Sequence, residues 1–489
     1  MTDRMLSGHK PLDTVLGGGL PANAISLIMG LPGAGKTIIA QQYVFRNGRP
    51  GRPAVYFSTV SEPLDKIVRF GQSLDFFDHA AIGTSVLYED LGATVTSQGL
   101  AGVARQIAAV LEERQPRLVV IDSFKALHAF ADNSGDFRRF LHELTGRLSA
   151  YPTASLWLGE YEEAEVGSLP EFAVADAIVD LAAERIGQRE IRYLQVRKLR
   201  GSGFRSGRHA YRLSSSGVHV FPRLADIPDV TGYELSGMRA SSGILALDEL
   251  LEDGYWAGSS TLIAGPSGSG KTLMGLHFIF NGAQQGESGI IATLQENNTQ
   301  LQRIAAGFGW SLTEPGVEVM YRSPVDIYID EWVDDLLRAV ERNGATRVLI
   351  DSLGDLRLAA PDETRFREFV YSLVQRFSRQ GVSTLMTLEV PDLFGSGRLS
   401  DGAISHLSDN VVLLRYVQEQ AAISRAISVI KTRASHHQPS TCRFEIGPGG
   451  ITLAEPLAPE QLDAGRRNPA GLTSARGEAP GQADGSEPG

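Results

Sequence analysis

A chain of 489 residues is long enough for two to four domains, each with its own core. Hydrophobic residues at 42% and charged residues at 21% describe an ordinary globular protein, and a net charge of -11 argues against a protein that coats nucleic acid. The single cysteine, Cys442, leaves no disulfide within the chain and no Cys/His zinc framework. No apolar run approaches the roughly 18 residues of a membrane span, so a cytoplasmic location without membrane contact is expected.

In chain order, the opening stretch MTDRMLSGHK has no apolar leader core, so no signal peptide is predicted. An apolar run, ISLIMG (25–30), leads into GLPGAGKT (30–37). The runs AVYFST (54–59), RLVVID (117–122) and ASLWLG (154–159) read as buried strands, and 100–114 and 136–149 space their apolar residues as helices do. A strand-rich stretch follows at about 174–220. Turn residues and two prolines at 222–240 mark a boundary, and the whole sequence of signals then begins again.

The second pass is an internal repeat. ISLIMGLPGAGKTIIAQQYVF (25–45) recurs as STLIAGPSGSGKTLMGLHFIF (260–280), RLVVIDS (117–123) as RVLIDS (347–352), and VRKLRGS (196–202) as VIKTRAS (429–435). The order is the same and the offset nearly constant, which means duplication. Strands alternating with helices predict an α/β fold of two tandem P-loop domains. Each is expected to be a mainly parallel sheet flanked by helices with an antiparallel extension, the second extension covering about 409–453. The expected divisions are 1–225, 226–455 and a Gly-, Ala- and Pro-rich disordered tail, 456–489.

Both loops fit G-x-x-x-x-G-K-[ST] in the strand–turn–helix setting the motif requires. The expected phosphate cradles are Gly30, Leu31, Pro32, Gly33, Ala34, Gly35, Lys36 and Thr37, and Gly265, Pro266, Ser267, Gly268, Ser269, Gly270, Lys271 and Thr272. Their backbone N–H groups and helix N-termini suit ATP phosphates. The lysines neutralise phosphate charge, while Thr37 with Asp122, and Thr272 with Asp351, are the expected Mg²⁺ ligands. Glu62 and Glu296 follow the next strand and are candidate bases for the attacking water. An acidic residue opening a helix is the plainer reading of each. Glu160 and Glu389 close matching strands and are candidates to orient that water.

These motifs resemble the KaiC-like branch of the RecA superfamily, and the resemblance covers about 1–455. It includes the entry patterns GHKPLDTVLGGGLPANAISLIMG (8–30) and SGILALDELLEDGYWAGSSTLIAG (242–265), both P-loops and both IDS strands. It also includes Lys198-Leu199-Arg200 and Lys431-Thr432-Arg433. The resemblance implies ATP clefts between subunits of a hexameric homo-oligomer. There Lys198 and Arg200, and Lys431 and Arg433, would reach a neighbouring subunit's terminal phosphate. Regulatory protein partners are implied as well.

The chain departs from the family pattern in two places. Where the family carries adjacent glutamates, this chain has Ser61-Glu62 and Gln295-Glu296, which predicts slow hydrolysis. Where the family's second domain has a Ser-Thr pair that it phosphorylates itself, this chain has Ser405-His406, so Ser405 is the candidate phosphosite for a serine autokinase. EFAVADAIVDL (171–181) has no hydroxyl at that place, suggesting that the first ring hydrolyses while the second transfers phosphate or switches state. The expected function is a signalling or regulatory ATPase. The alternatives are a DNA-handling ATPase, for which RKLRGSGFRSGRHAYR (197–212) is the basic candidate, and a non-hydrolysing scaffold that uses ATP to assemble.

Overall fold

The computed structural model describes residues 3–457, apart from 187, 225–236, 361, 391–405, 420–421 and 434. The described residues divide into two compact units. One is formed by residues up to the boundary at Ala225, together with Val325–Arg338 and a short piece at Ala359–Pro361; the other is formed by the rest.

The first unit is built on a nine-stranded sheet. Its strands are β1 (Ile25–Gly30), β2 (Ala54–Ser58), β3 (Val86–Asp90), β4 (Leu118–Asp122), β5 (Ala154–Gly159), β6 (Ala177–Ile186), β7 (Arg189–Leu199), β8 (Arg208–Ser214) and β9 (Gly217–Phe221). Their spatial order is β3-β2-β4-β5-β1-β6-β7-β8-β9. From β3 to β6 every pairing is parallel, and from β6 to β9 every pairing is antiparallel. The helices that cover it include α1 (Lys36–Asn47), α2 (Leu64–Gly71), α3 (Gly92–Arg114) and α4 (Ser134–Ser149).

The second unit repeats this sheet with β10 (Ser260–Gly265), β11 (Gly289–Thr293), β12 (Val317–Tyr321), β13 (Arg347–Asp351), β14 (Ser383–Glu389), β15 (Asn410–Glu419), β16 (Ala422–Lys431), β17 (Thr441–Gly447) and β18 (Gly450–Pro456). The order, β12-β11-β13-β14-β10-β15-β16-β17-β18, is the same topology. Its helices include α5 (Lys271–Gln284), α6 (Asn298–Ala306) and α7 (Glu363–Arg379). Both sheets are thus the mainly parallel α/β architecture with an antiparallel extension that the alternation of apolar runs predicts.

The local causes are legible. All residues of β1, β2, β4 and β5 are buried, as are those of β10, β11 and β13. Strands covered on both faces need continuous apolar runs rather than alternation. Asn133 caps α4 by accepting hydrogen bonds from the Gly135 and Asp136 amides, and Asp362 caps α7 by accepting from Arg365 N. The helix expected at 100–114 is longer than its pattern: α3 starts at Gly92, with Gly99 at φ 62° breaking it one residue before the apolar periodicity sets in. Only a residue without Cβ enters that conformation without strain.

Among the described residues no helix is long and apolar enough to cross a membrane.

Candidate functional site

Each phosphate loop joins a buried central strand to a buried helix. Gly35 stands at φ 91° and Gly270 at φ 104°, the left-handed turn that lets α1 and α5 start at the following lysine. The free N–H groups of each first turn therefore open onto the loop. A tyrosine from the antiparallel extension steadies each loop from outside. Tyr211 donates to Ala34 O at 2.6 Å, and Tyr416 donates to Ser267 O at 3.1 Å.

The lysines are folded back onto their own loops. Lys36 Nζ donates to Gly30 O at 2.8 Å and Leu31 O at 3.0 Å, and lies 3.8 Å from Glu160 Oε1. Lys271 Nζ donates to Pro266 O at 2.9 Å. Burial lowers the proton affinity of both, opposed for Lys36 by Glu160 and Asp122 and for Lys271 by Glu389, Asp351 and Glu296. The strand-end acids Glu160 and Glu389 thus belong to the electrostatics of the loops.

Threonine and aspartate meet in both units. Thr37 Oγ1 donates to Asp122 Oδ2 at 3.0 Å, and Thr272 Oγ1 to Asp351 Oδ2 at 2.7 Å. Burial raises the proton affinity of both aspartates. A further hydroxyl holds each in place. Tyr56 donates to Asp122 Oδ2 at 2.5 Å from β2, whereas Thr387 donates to Asp351 Oδ1 from β14. Both hydroxyls oppose protonation of their aspartate. The position of Tyr56 is Ile291 in the second unit, so the two modules brace the same carboxylate from different strands. A hydroxyl beside a carboxylate is a hard oxygen pair of the kind Mg²⁺ takes when phosphate oxygens complete its shell. Among the described residues no group of three or more His, Cys, Asp or Glu forms an all-protein metal cage.

In the first unit these groups line one cavity of about 780 Å³, which also takes in Ser61, Glu62, Ser123, Lys125 and Glu160. Clefts of this order suit small-molecule ligands. The two candidate bases differ. Glu62 lies 2.9 Å from Lys66 Nζ, an ion pair across the start of α2. Glu296 has a buried Oε2 without a hydrogen-bond partner, and burial together with Asp351 raises its proton affinity. Its neighbour Gln295 donates to Asp355 Oδ2 at 2.9 Å.

The K-x-R residues lie at the other end of each sheet. Lys198 stands opposite Ile178, itself beside Leu27, and Arg200 N donates to Asp176 O, whose own amide bonds Ile25 O. The loop leaves β1 at Gly30, by the strand rise about 10 Å further along than the level of Lys198 and about 16 Å further than that of Arg200. Lys431 and Arg433 repeat this arrangement beside Val411 and Asp409, whose amide bonds Ser260 O. Lys198 Nζ donates to Phe172 O and Ala173 O at 3.3 Å, and Arg200 lies 3.2 Å from Asp176. Lys431 donates to Ser408 O at 2.7 Å, and Arg433 to His406 O at 2.9 Å. Neither pair is brought to its own module's loop.

The rest of the basic stretch 197–212 is largely answered by acids: Arg197 pairs with Glu163 and Asp180, and Arg208 with Glu184. Ser405 lies outside the described residues, as does all but the first two residues of the predicted tail.

Tyr56, Thr387, Lys66 and Lys125 are site residues that the motifs do not contain. A tyrosine in a fully buried strand does announce a need for a hydroxyl partner, which was the signal for Tyr56.

A family model described as "ATPase: KaiC" matches residues 6–225 and again 240–458. The chain is similar to the circadian clock oscillator protein KaiC of Rippkaea orientalis, 26% identical over 91% of this chain and 87% of that protein. It is also similar to the one from Synechococcus elongatus, 27% identical over 92% and 89%. The circadian clock protein KaiC3 of Synechocystis sp. is 26% identical over 93% and 92%. With both of its P-loop units matched separately, this chain belongs to the KaiC ATPase family.

Proposed function

We propose that the protein is a cytoplasmic tandem ATPase that binds Mg-ATP at the interfaces of a homo-oligomeric ring, a hexamer by family analogy. It hydrolyses ATP slowly and changes shape with nucleotide state for a signalling or regulatory purpose. The observation that carries this reading is the place of the K-x-R residues. Lys198, Arg200, Lys431 and Arg433 sit at the sheet end remote from their own loops. In this reading their cations serve a phosphate held by another copy of the chain rather than by their own loop.

Within each site, the loop amides and Lys36 or Lys271 hold the phosphates, the lysine turning from its own loop carbonyls to the incoming anion. Thr37 with Asp122, and Thr272 with Asp351, hold Mg²⁺, which neutralises phosphate charge when bound. Glu62 and Glu296 accept the proton of the attacking water. Slow turnover accords with the single acid, Glu62 or Glu296, that stands where the family pattern has two. The carboxylates facing Arg197 and Arg208 leave little free positive charge there for a nucleic-acid strand, which favours a regulatory over a DNA-handling role. Partner proteins would read the nucleotide state, and autophosphorylation of Ser405 would add a second signal.

Phosphate release from Mg-ATP tests the assignment. Glu62→Gln and Glu296→Gln should each remove part of the release, and the double variant should abolish it while still binding ATP. Undiminished release in the double variant would remove both glutamates from the mechanism. No release from the wild type would leave the ATP-dependent scaffold.

A further inference from the structure

The cavity at the first phosphate loop contains a cation, Lys125, where the matching position of the second unit is Gly354. Lys125 stands three residues beyond Asp122, at the head of the short turn Lys125–Phe130, and lines the same cavity as Lys36, Thr37 and Glu62. Its Nζ lies 2.7 Å from Glu165 Oε2 and 5.2 Å from the centre of the Tyr161 ring. Three residues beyond Asp351 the second unit has Gly354, followed by Asp355, whose Oδ2 accepts from Ser352 Oγ at 2.5 Å and Gln295 Nε2 at 2.9 Å. At this position one module has a positive charge, and the next residue of the other has a negative one.

The pair with Glu165 is a resting contact rather than a fixed one. Both side chains are 30% exposed, where water screens the attraction. Glu165 is held independently of Lys125, because its Oε2 also accepts from Glu162 N at 2.8 Å and its amide closes the turn back to Glu162 O. Lys125 can therefore leave without unseating its partner. An ammonium on a four-carbon stem offers three donors and follows the larger nearby anion. The terminal phosphate of ATP is such an anion, and ADP does not carry it.

We infer that Lys125 is a phosphate-binding residue of the first site alone, moving from Glu165 to the terminal phosphate of ATP and letting that site distinguish ATP from ADP. This deepens the proposed nucleotide reading of the first loop and rests on it. Because the cation is supplied by the same chain as the loop, it acts before any neighbouring subunit is engaged.

The test is nucleotide binding by the full-length chain carrying Lys271→Ala, which silences the second loop. ATP and ADP are titrated separately with Mg²⁺. Lys125→Met should weaken ATP binding about tenfold, the scale of one lost hydrogen bond to a charged group, and change ADP binding less than about twofold. Lys125→Arg should restore most of the loss. Glu165→Gln should leave ATP binding unchanged or tighter, since it frees the lysine. A purely structural pair predicts otherwise: Lys125→Met and Glu165→Gln would weaken ATP and ADP in parallel and lower the thermal midpoint together. That result, or an unchanged ATP-to-ADP ratio in Lys125→Met, overturns the inference. If the Lys271→Ala parent binds neither nucleotide, the reading of the first loop falls, and this inference with it.

Discussion

Asp122 and Asp351 are buried, which raises their proton affinity, and hydrogen bonds donated to each carboxylate oppose that rise. Besides Thr37 and Thr272, Tyr56 and Thr387 are such donors, one further hydroxyl per module, and neither belongs to a recognised motif. Groups that orient a metal ligand from behind commonly matter ten- to a hundredfold in metal affinity. Tyr56→Phe should therefore weaken metal binding at the first site about tenfold. Mn²⁺ titration by electron paramagnetic resonance with ADP present, in the Lys271→Ala chain, measures this directly. Thr387→Val should act likewise at the second site in a Lys36→Ala chain. Unchanged Mn²⁺ affinity in both variants would reduce these hydroxyls to core hydrogen bonds.

At the level of elements, the phosphate-loop helix of each unit is tied to the last hairpin of its sheet by one side chain at the same repeat position. In α1 this is Gln42, whose Oε1 accepts from Val218 N at 2.9 Å. In α5 it is His277, whose Nε2 accepts from Ile451 N at 3.2 Å. The amide is indifferent to pH, but the imidazole accepts only when neutral. Burial lowers the proton affinity of His277 below its ordinary value of 6.5. Below about pH 6.5 the unfolded chain binds a proton there that the folded chain refuses, so stability is lost as pH falls and is complete above that value. His277→Gln, borrowing the first unit's solution, should flatten this acid-side loss in chemical denaturation at pH 7 and pH 5. Parallel losses in wild type and variant would assign the acid sensitivity elsewhere.

At the scale of the whole molecule, the question is assembly. If the K-x-R cations complete sites on other copies, nucleotide and oligomer must be linked, because a ligand that binds the assembled state favours assembly. Native mass spectrometry should find a larger oligomer with Mg-ATP than without it. Lys198→Ala with Arg200→Ala should slow phosphate release at least about tenfold, as loss of such cations does elsewhere, while leaving single-chain folding intact. A chain that stays monomeric in saturating Mg-ATP, or a double variant with full turnover, would end the trans role of these residues.

Much of this was readable before any coordinates, and for definite reasons. The fold class follows from local signals: continuous apolar runs for doubly covered strands, glycine-bearing turns before Lys36 and Lys271, and a repeat that states every element twice. Asp122 and Asp351 could be singled out because each ends an apolar strand at a similar interval from its lysine, and the fold sets each against its loop threonine. The position of α3's break was not readable, since a lone Gly99 inside a permissive stretch does not declare its φ. Nor were the asymmetries between the two sites. That Tyr56 meets Asp122 while Thr387 meets Asp351, that Lys66 holds Glu62 while Glu296 has a buried oxygen without a partner, and that Lys125 enters the first cavity depend on which strands and turns lie side by side. The sequence by itself determined the periodicities, the turns and the order of the chemistry, because those act between near neighbours along the chain. Only the tertiary structure decided which distant side chains share a site, because parallel strands joined by long crossovers bring together residues that no spacing rule connects.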